Sequence, residues 1–108
     1  MLKIALAHTN NKLDEFRQCK DFFFYTLEKE AKAIPKPEII KAEGCQSIIG
    51  KTFQLIDAKI NILIVSEIDP DDEIVLNNSE IEVRKMPGQD VEGIPHLKDG
   101  FINMLKEL

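Results

Sequence analysis

The chain has 108 residues, a formal net charge of −5, and 44% hydrophobic against 31% charged residues. That length reads as one domain over residues 1–108, large enough for a two- or three-layer core without covalent staples. The acidic balance argues against a nucleic-acid or anionic-membrane binder, both of which need a basic face.

No apolar run approaches the roughly 20 residues that span a bilayer, and no signal pattern opens the chain, so a cytoplasmic protein is expected. In a reducing cytosol the two cysteines are thiols or ligands rather than a disulfide framework.

Leu2 to Ala7, LKIALA, reads as an interior strand that ends at His8-Thr9-Asn10-Asn11. Loops at the carboxyl ends of sheet strands are where α/β domains place ligands, which makes His8 and Asn10 candidates. Asn10 to Lys20 is polar, with one possible helical turn. Phe22 to Leu27 is aromatic and β-branched, hence strand. Glu28 to Lys32 is a charged turn. Pro35 and Pro37 bar helix, and Ile39-Ile40 reads as a short returning strand that completes an antiparallel meander.

Ser47 to Asp57 is expected to be a helix. Ile49, Phe53 and Ile56 fall at i, i+4 and i+7, with Ile48 and Leu55 widening the stripe that would pack on the sheet. Gly50 inside it costs roughly 1 kcal/mol against alanine. Ile60 to Val65 is a near-continuous β-branched run, the mark of a strand buried on both faces. Asp69-Pro70 then reads as an N-cap with proline at the first helical position. Asp71, Asp72 and Glu73 suit the positive end of that short helix, and Asn77-Asn78 would close it. Glu80 to Arg84 alternates and reads as an edge strand. Pro87-Gly88 makes a turn, and a last helix from Ile94 carries Leu97, Phe101, Met104, Leu105 and Leu108 on one face. The order β-β-β-α-β-α-β-α fits an α/β fold, a meander extended by parallel strands and crossover helices.

The residue to question first is Cys45. It stands in Gly44-Cys45-Gln46-Ser47 at the opening of a helix, where free backbone N–H groups and the dipole favour thiolate. It reads as a metal or cluster ligand, a reactive thiol, or a small buried hydrophobe. Cys19 shares no CxxC spacing and matters only if the fold brings it to Cys45. His8 is a ligand or proton carrier on one reading and a polar loop residue on another; His96 reads as surface. The acidic run from Asp69 to Glu73 lacks the glycine and spaced oxygens of a calcium loop, so helix-terminal charge explains it better. No GxGxxG, Walker, GxSxG or HExxH motif occurs.

Four stretches carry a family resemblance. LKIALAH is similar to the opening strand of the dinitrogenase iron-molybdenum cofactor biosynthesis family, the NifX/NafY-like domains also found at the C-terminus of NifB. Glu15 to Tyr25, EFRQCKDFFFY, resembles the family's HFGRA-x-x-F approach to its next strand. Glu43-Gly44-Cys45, the helix and INILIVSEIDP resemble its glycine-rich turn, helix and strand. SEIEVRK and PGQDVEGIPHLKDGFINML resemble its terminal strand, turn and helix. The departures are Glu15 for the family's histidine, Arg17 and Gln18 for its Gly-Arg, and Cys19 for its alanine.

The resemblance implies a ribonuclease-H-like fold with a mixed five-stranded sheet. It implies a non-catalytic carrier, or a cluster-biosynthesis accessory domain, for an iron–sulfur or iron–molybdenum cluster or its precursor. Cys45 and Cys19 would then be metal ligands, with His8, Asn10, Glu15, Phe16, Gly44, Gln46 and Ser47 lining the site. Thiolates suit iron–sulfur ligation and a helix N-terminus suits an anionic cluster. Two thiols are fewer than the four a closed cluster uses, which points to a labile site or one shared across a dimer. The partners would be cluster-donor or cluster-acceptor proteins, not nucleic acid or membrane, and the chain a monomer or homodimer. A metal-free module for an anion or small molecule, and a thiol-redox protein using Cys19 and Cys45, remain the alternatives.

Overall fold

The computed structural model describes residues 2–28, 36–42 and 48–86. It is a mixed α/β fold with an open six-stranded sheet and two described helices. The strands are β1 (Leu2–Thr9), β2 (Lys12–Leu13), β3 (Asp21–Leu27), β4 (Glu38–Lys41), β5 (Ile62–Val65) and β6 (Glu82–Lys85); the helices are α1 (Ile48–Asp57) and α2 (Pro70–Asn78). The sheet order is β4-β3-β1-β5-β6, with β2 attached to β1.

β3 runs antiparallel to β1 and to β4, whereas β5 runs parallel to β1 and β6 parallel to β5. The carboxyl ends of β1, β4, β5 and β6 therefore lie along one edge of the sheet. Leu6 opposite Ile64 and Ala5 opposite Leu63 fix the parallel register. All four residues of β5 are buried, as its apolar run requires. Each such side chain contributes about 1.5–3 kcal/mol relative to exposure.

Alternation along β1 splits the core in two. Leu2, Ile4 and Leu6 join Tyr25, Leu27, Ile62 and Ile64 on one face. Ala5 and Ala7 join Phe22, Leu63 and Val65 on the other, where Leu55 of α1 and Leu76 of α2 pack. The alanines leave room for helices to approach the sheet.

β2 was not expected. A two-residue hairpin at Asn10-Asn11, with φ of 51° and 64°, pairs Thr9 with Lys12. Two consecutive positive φ values define the type I′ turn, and asparagine tolerates them well. α2 begins as its sequence requires: Asp69 caps it by accepting from the Asp71 N–H at 2.9 Å, with Pro70 at the first position. Asn77 and Asn78 are its last residues, as expected, with Ser79 at the cap. Glu80, at φ 64°, ends it, with the Ile81 N–H reaching Leu76 O and the Glu80 N–H reaching Asn77 O. This is a Schellman closure with Ile81 packed in the core beside Leu76. α1 ends the same way through Lys59 at φ 58°, with Ile60 bonded back to Leu55 and Lys59 to Ile56.

The buried face of α1 differs from the expected stripe. Phe53 is 57% exposed and Ile56 37%, whereas Lys51, Thr52 and Leu55 are buried. Lys51 and Leu55, four residues apart, define the face turned to the sheet. The side chains of Ile48 and Ile49, the 43–47 turn and everything from Pro87 onward, including the expected last helix, lie outside the described residues.

Candidate functional site

The carboxyl edge of the sheet gathers the chemistry-bearing loops. Asp14 organises the first. Its N–H donates to Ala7 O at 3.0 Å, its Oδ2 accepts from the Thr9 hydroxyl at 2.7 Å, and its Oδ1 accepts from the Glu15 N–H at 2.8 Å. The following segment is laced to the end of β5 by main-chain bonds alone: the Ser66 N–H donates to Asp14 O and the Phe16 N–H to Glu67 O, each at 3.1 Å.

Between these strips lies an open cleft of about 330 Å³, lined by Glu15, Phe16, Arg17, Glu67, Ile68 and Asp69. Of these Phe16 is fully buried. Arg17 crosses between the lips: its Nε donates to Asp72 Oδ2 at 2.9 Å and its Nη2 to Oδ1 at 3.4 Å, with Asp69 at 3.6 Å. Asp72 is itself buried. Its hydrogen bond and charge, opposed by some burial, raise the guanidinium's proton affinity further.

α1 is held to the same loop by an unusual device. Lys51 is only 5% exposed, and its ammonium donates to Phe16 O at 3.0 Å, Arg17 O at 2.7 Å and Cys19 O at 3.0 Å. An ammonium has three donors and no acceptor, so these carbonyls saturate it. They also give the 16–19 turn a fixed place over the first half of α1.

Cys19 is 2% exposed and its thiol donates to Phe16 O at 3.3 Å. Burial pushes the thiol up to about 11, although Lys51 pulls the other way. At neutral pH it is therefore a protonated thiol rather than a thiolate.

His8 is placed elsewhere. Its ring stacks on Phe23 with centroids 3.8 Å apart, on the face of the sheet opposite Cys19. Burial lowers its proton affinity, and Asp21 offsets this in part. Asn10 sits in the hairpin turn. The edge thus brings Glu15, Phe16 and Cys19 together and leaves His8 on the other side of the sheet.

Gly44, Cys45, Gln46 and Ser47 lie outside the described residues. Their neighbours are informative: the Ala42 N–H donates to Lys20 O at 2.9 Å, and Lys51 reaches the 16–19 turn. Arg17, Glu67, Asp69 and Lys51 were absent from the sequence-derived site. Only the adjacency of residues some fifty positions apart in the chain makes the first three neighbours, and short-range pattern carries no trace of that. Among the described residues no group of three or more His, Cys, Asp or Glu is arranged to hold a metal ion, and no helix is long and apolar enough to cross a membrane.

No protein-family model matches the chain, and no curated protein matches it in sequence. Solved structures do share its fold. The structure of PH0822 superposes with a TM-score of 0.75 at 14% identity, covering 93% of this chain and 92% of that one. The Methanocaldococcus jannaschii protein MJ0327, described as a "putative dinitrogenase", gives 0.70 at 19% identity over 94% and 90%. The apo form of the orange protein from Desulfovibrio gigas gives 0.70 at 19% identity over 93% and 89%. At these identities what is common to the four chains is the fold.

Proposed function

We propose that this chain is a non-catalytic carrier or accessory domain for a metal–sulfur cluster or cluster precursor, loaded and unloaded at the carboxyl edge of the sheet. The observation that carries the reading is the convergence there of the 14–19 loop, the start of α2 and the residues flanking the Cys45 turn. The fold shared with the apo form of the orange protein and with MJ0327 supports it, as does the four-stretch sequence resemblance. The ribonuclease-H-like arrangement that the resemblance implies is part of this proposal; the sheet has six strands rather than the five expected, β2 being the addition.

In this reading Cys45 supplies the thiolate, and Gly44, Gln46 and Ser47 supply N–H groups at the start of α1, where anionic sulfur is favoured. Cys19 joins as a second ligand only when the 16–19 turn opens and its thiol loses a proton. Two thiols are fewer than the four a closed cluster uses, so in this reading the cargo is held weakly or shared with a second chain. The acidic lips Glu15, Glu67 and Asp69 repel an anionic cluster from the cleft itself and suit a basic donor or acceptor protein. The buried, protonated Cys19 counts against a fast redox pair with Cys45.

The test is iron and sulfide per chain, with the visible spectrum, after anaerobic reconstitution of wild type, Cys45→Ser and Cys19→Ser. Stoichiometric iron with a charge-transfer band that Cys45→Ser abolishes is expected, with a smaller loss for Cys19→Ser. No iron in wild type overturns cluster carriage by the chain alone and favours the metal-free module.

A further inference from the structure

His8 plays no part in the cargo reading, yet its setting is costly. The ring is 4% exposed, and neither Nδ1 nor Nε2 has a hydrogen-bond partner. A neutral imidazole leaves one N–H donor unsatisfied there; an imidazolium would leave two, together with a buried charge.

The surroundings offer little compensation. β2 presents Leu13 across from it. β3 presents Asp21 directly opposite, and Asp21 in turn pairs with Lys41 of β4. β5 ends its pairing with β1 at Ile64, opposite Leu6. The nearby Asp14 carboxylate is already engaged by Thr9 and the Glu15 N–H. Among the described residues Asp21 is thus the one facing charge that favours the protonated ring, and burial outweighs it.

The last residues of β1 hold both ends of the loop that forms one lip of the cleft. Ala7 O accepts from the Asp14 N–H, and His8 O accepts from the Lys20 N–H at 3.2 Å. The Thr9 hydroxyl oxygen accepts from the same Lys20 N–H. A ring that leaves its pocket takes these anchors with it.

We propose that His8 is a proton-operated latch: its protonation expels the ring, frees the carboxyl end of β1, and releases the 14–20 loop that forms the Glu15–Arg17 lip. The inference does not depend on what the cleft or the Cys45 turn carries. Because the folded ring binds its proton less readily than a free one, the latch is fully closed above pH 6.5. It weakens as pH falls below that value, by up to tenfold in the closing equilibrium per pH unit, until the folded ring too is protonated.

The test uses the full chain carrying His96→Gln, which leaves His8 as its one histidine, followed by NMR from pH 7.5 to 5.0. Amide exchange is measured over the same range in that chain and in wild type. The expected result is a His8 midpoint below 6.5, with protection at Asp14 and Lys20 falling with pH relative to Leu63 in the core. His8→Leu is expected to abolish that selective loss. A midpoint at or above 6.5 overturns the proposal, as does pH-independent protection at Asp14 and Lys20 in wild type. An identical loss in His8→Leu also overturns it, and if that variant does not fold, the wild-type titration and exchange decide alone.

Discussion

Replacing Lys51 with methionine keeps the length and most of the volume of the side chain and deletes its charge. Three hydrogen bonds of 2.7–3.0 Å vanish; the carbonyls of Phe16, Arg17 and Cys19 lose the ammonium, and Phe16 O keeps the Cys19 thiol. Bonds to a charged group contribute about 1.5–3 kcal/mol each, which sums to roughly 5–9 kcal/mol. Against that, the ammonium no longer has to be taken out of water, a term of several kcal/mol. The turn can also relax so that part of its carbonyl surface meets solvent. The balance is a destabilisation of about 2–4 kcal/mol. Equilibrium unfolding in urea should show a lower midpoint at unchanged slope. The Cys19 thiol should also react faster with an alkylating reagent, because the turn that covers it is loosened. A Lys51→Met chain within about 0.5 kcal/mol of wild type, with Cys19 still protected, would refute the claim that this ammonium holds the turn.

Three further outcomes follow from the same geometry. Glu80→Gly removes a side chain from a left-handed position, φ 64°, and should stabilise the fold by about 0.5–1 kcal/mol, raising Tm by a few degrees; an unchanged or lower Tm contradicts the Schellman assignment. Arg17→Ala should increase amide exchange selectively at residues 15–18 and reduce the dependence of that exchange on salt, since the half-exposed Arg17 joins the lips through ion pairs to exposed Asp69 and buried Asp72; uniform change across the sheet would count against it. For Cys19 the fold favours the neutral thiol, raised from 9.0 to about 11, so its contribution is complete below pH 9 and fades as pH rises through 11. Cys19→Ala should therefore narrow its stability gap to wild type between pH 9 and 11, and a constant gap would show the thiol to be unperturbed.

The strands were legible because their signals are local. β3 and β5 announce themselves by composition, and Asp69-Pro70 fixes the start of α2 to the residue. The face of α1 was not legible, for a definite reason. Hydrophobic patterning assigns Phe53 and Ile56 to the core and Lys51 to solvent, but the carbonyls of a turn more than thirty residues upstream satisfy the lysine, and no helical period reports them. β2 had a readable cue in Asn10-Asn11 that was too short to weigh against the polar residues around it. For the candidate site, Glu15, Phe16 and Cys19 were named through resemblance, and the fold places them at one edge of the sheet. Arg17, Glu67 and Asp69 become neighbours only through the parallel pairing of β1 with β5.

The bonds that lace residues 14–16 to residues 66–67 run between peptide groups, not side chains. A seam of that kind is indifferent to which residues stand along it. Substitutions at positions 15, 17, 67 or 69 can therefore invert the charge of the lips or supply a metal-binding group while leaving the opening the same shape. Chains of this fold can thus diverge in what they hold without diverging in how they are built, and a lip sequence such as EFRQC is compatible with an intact frame.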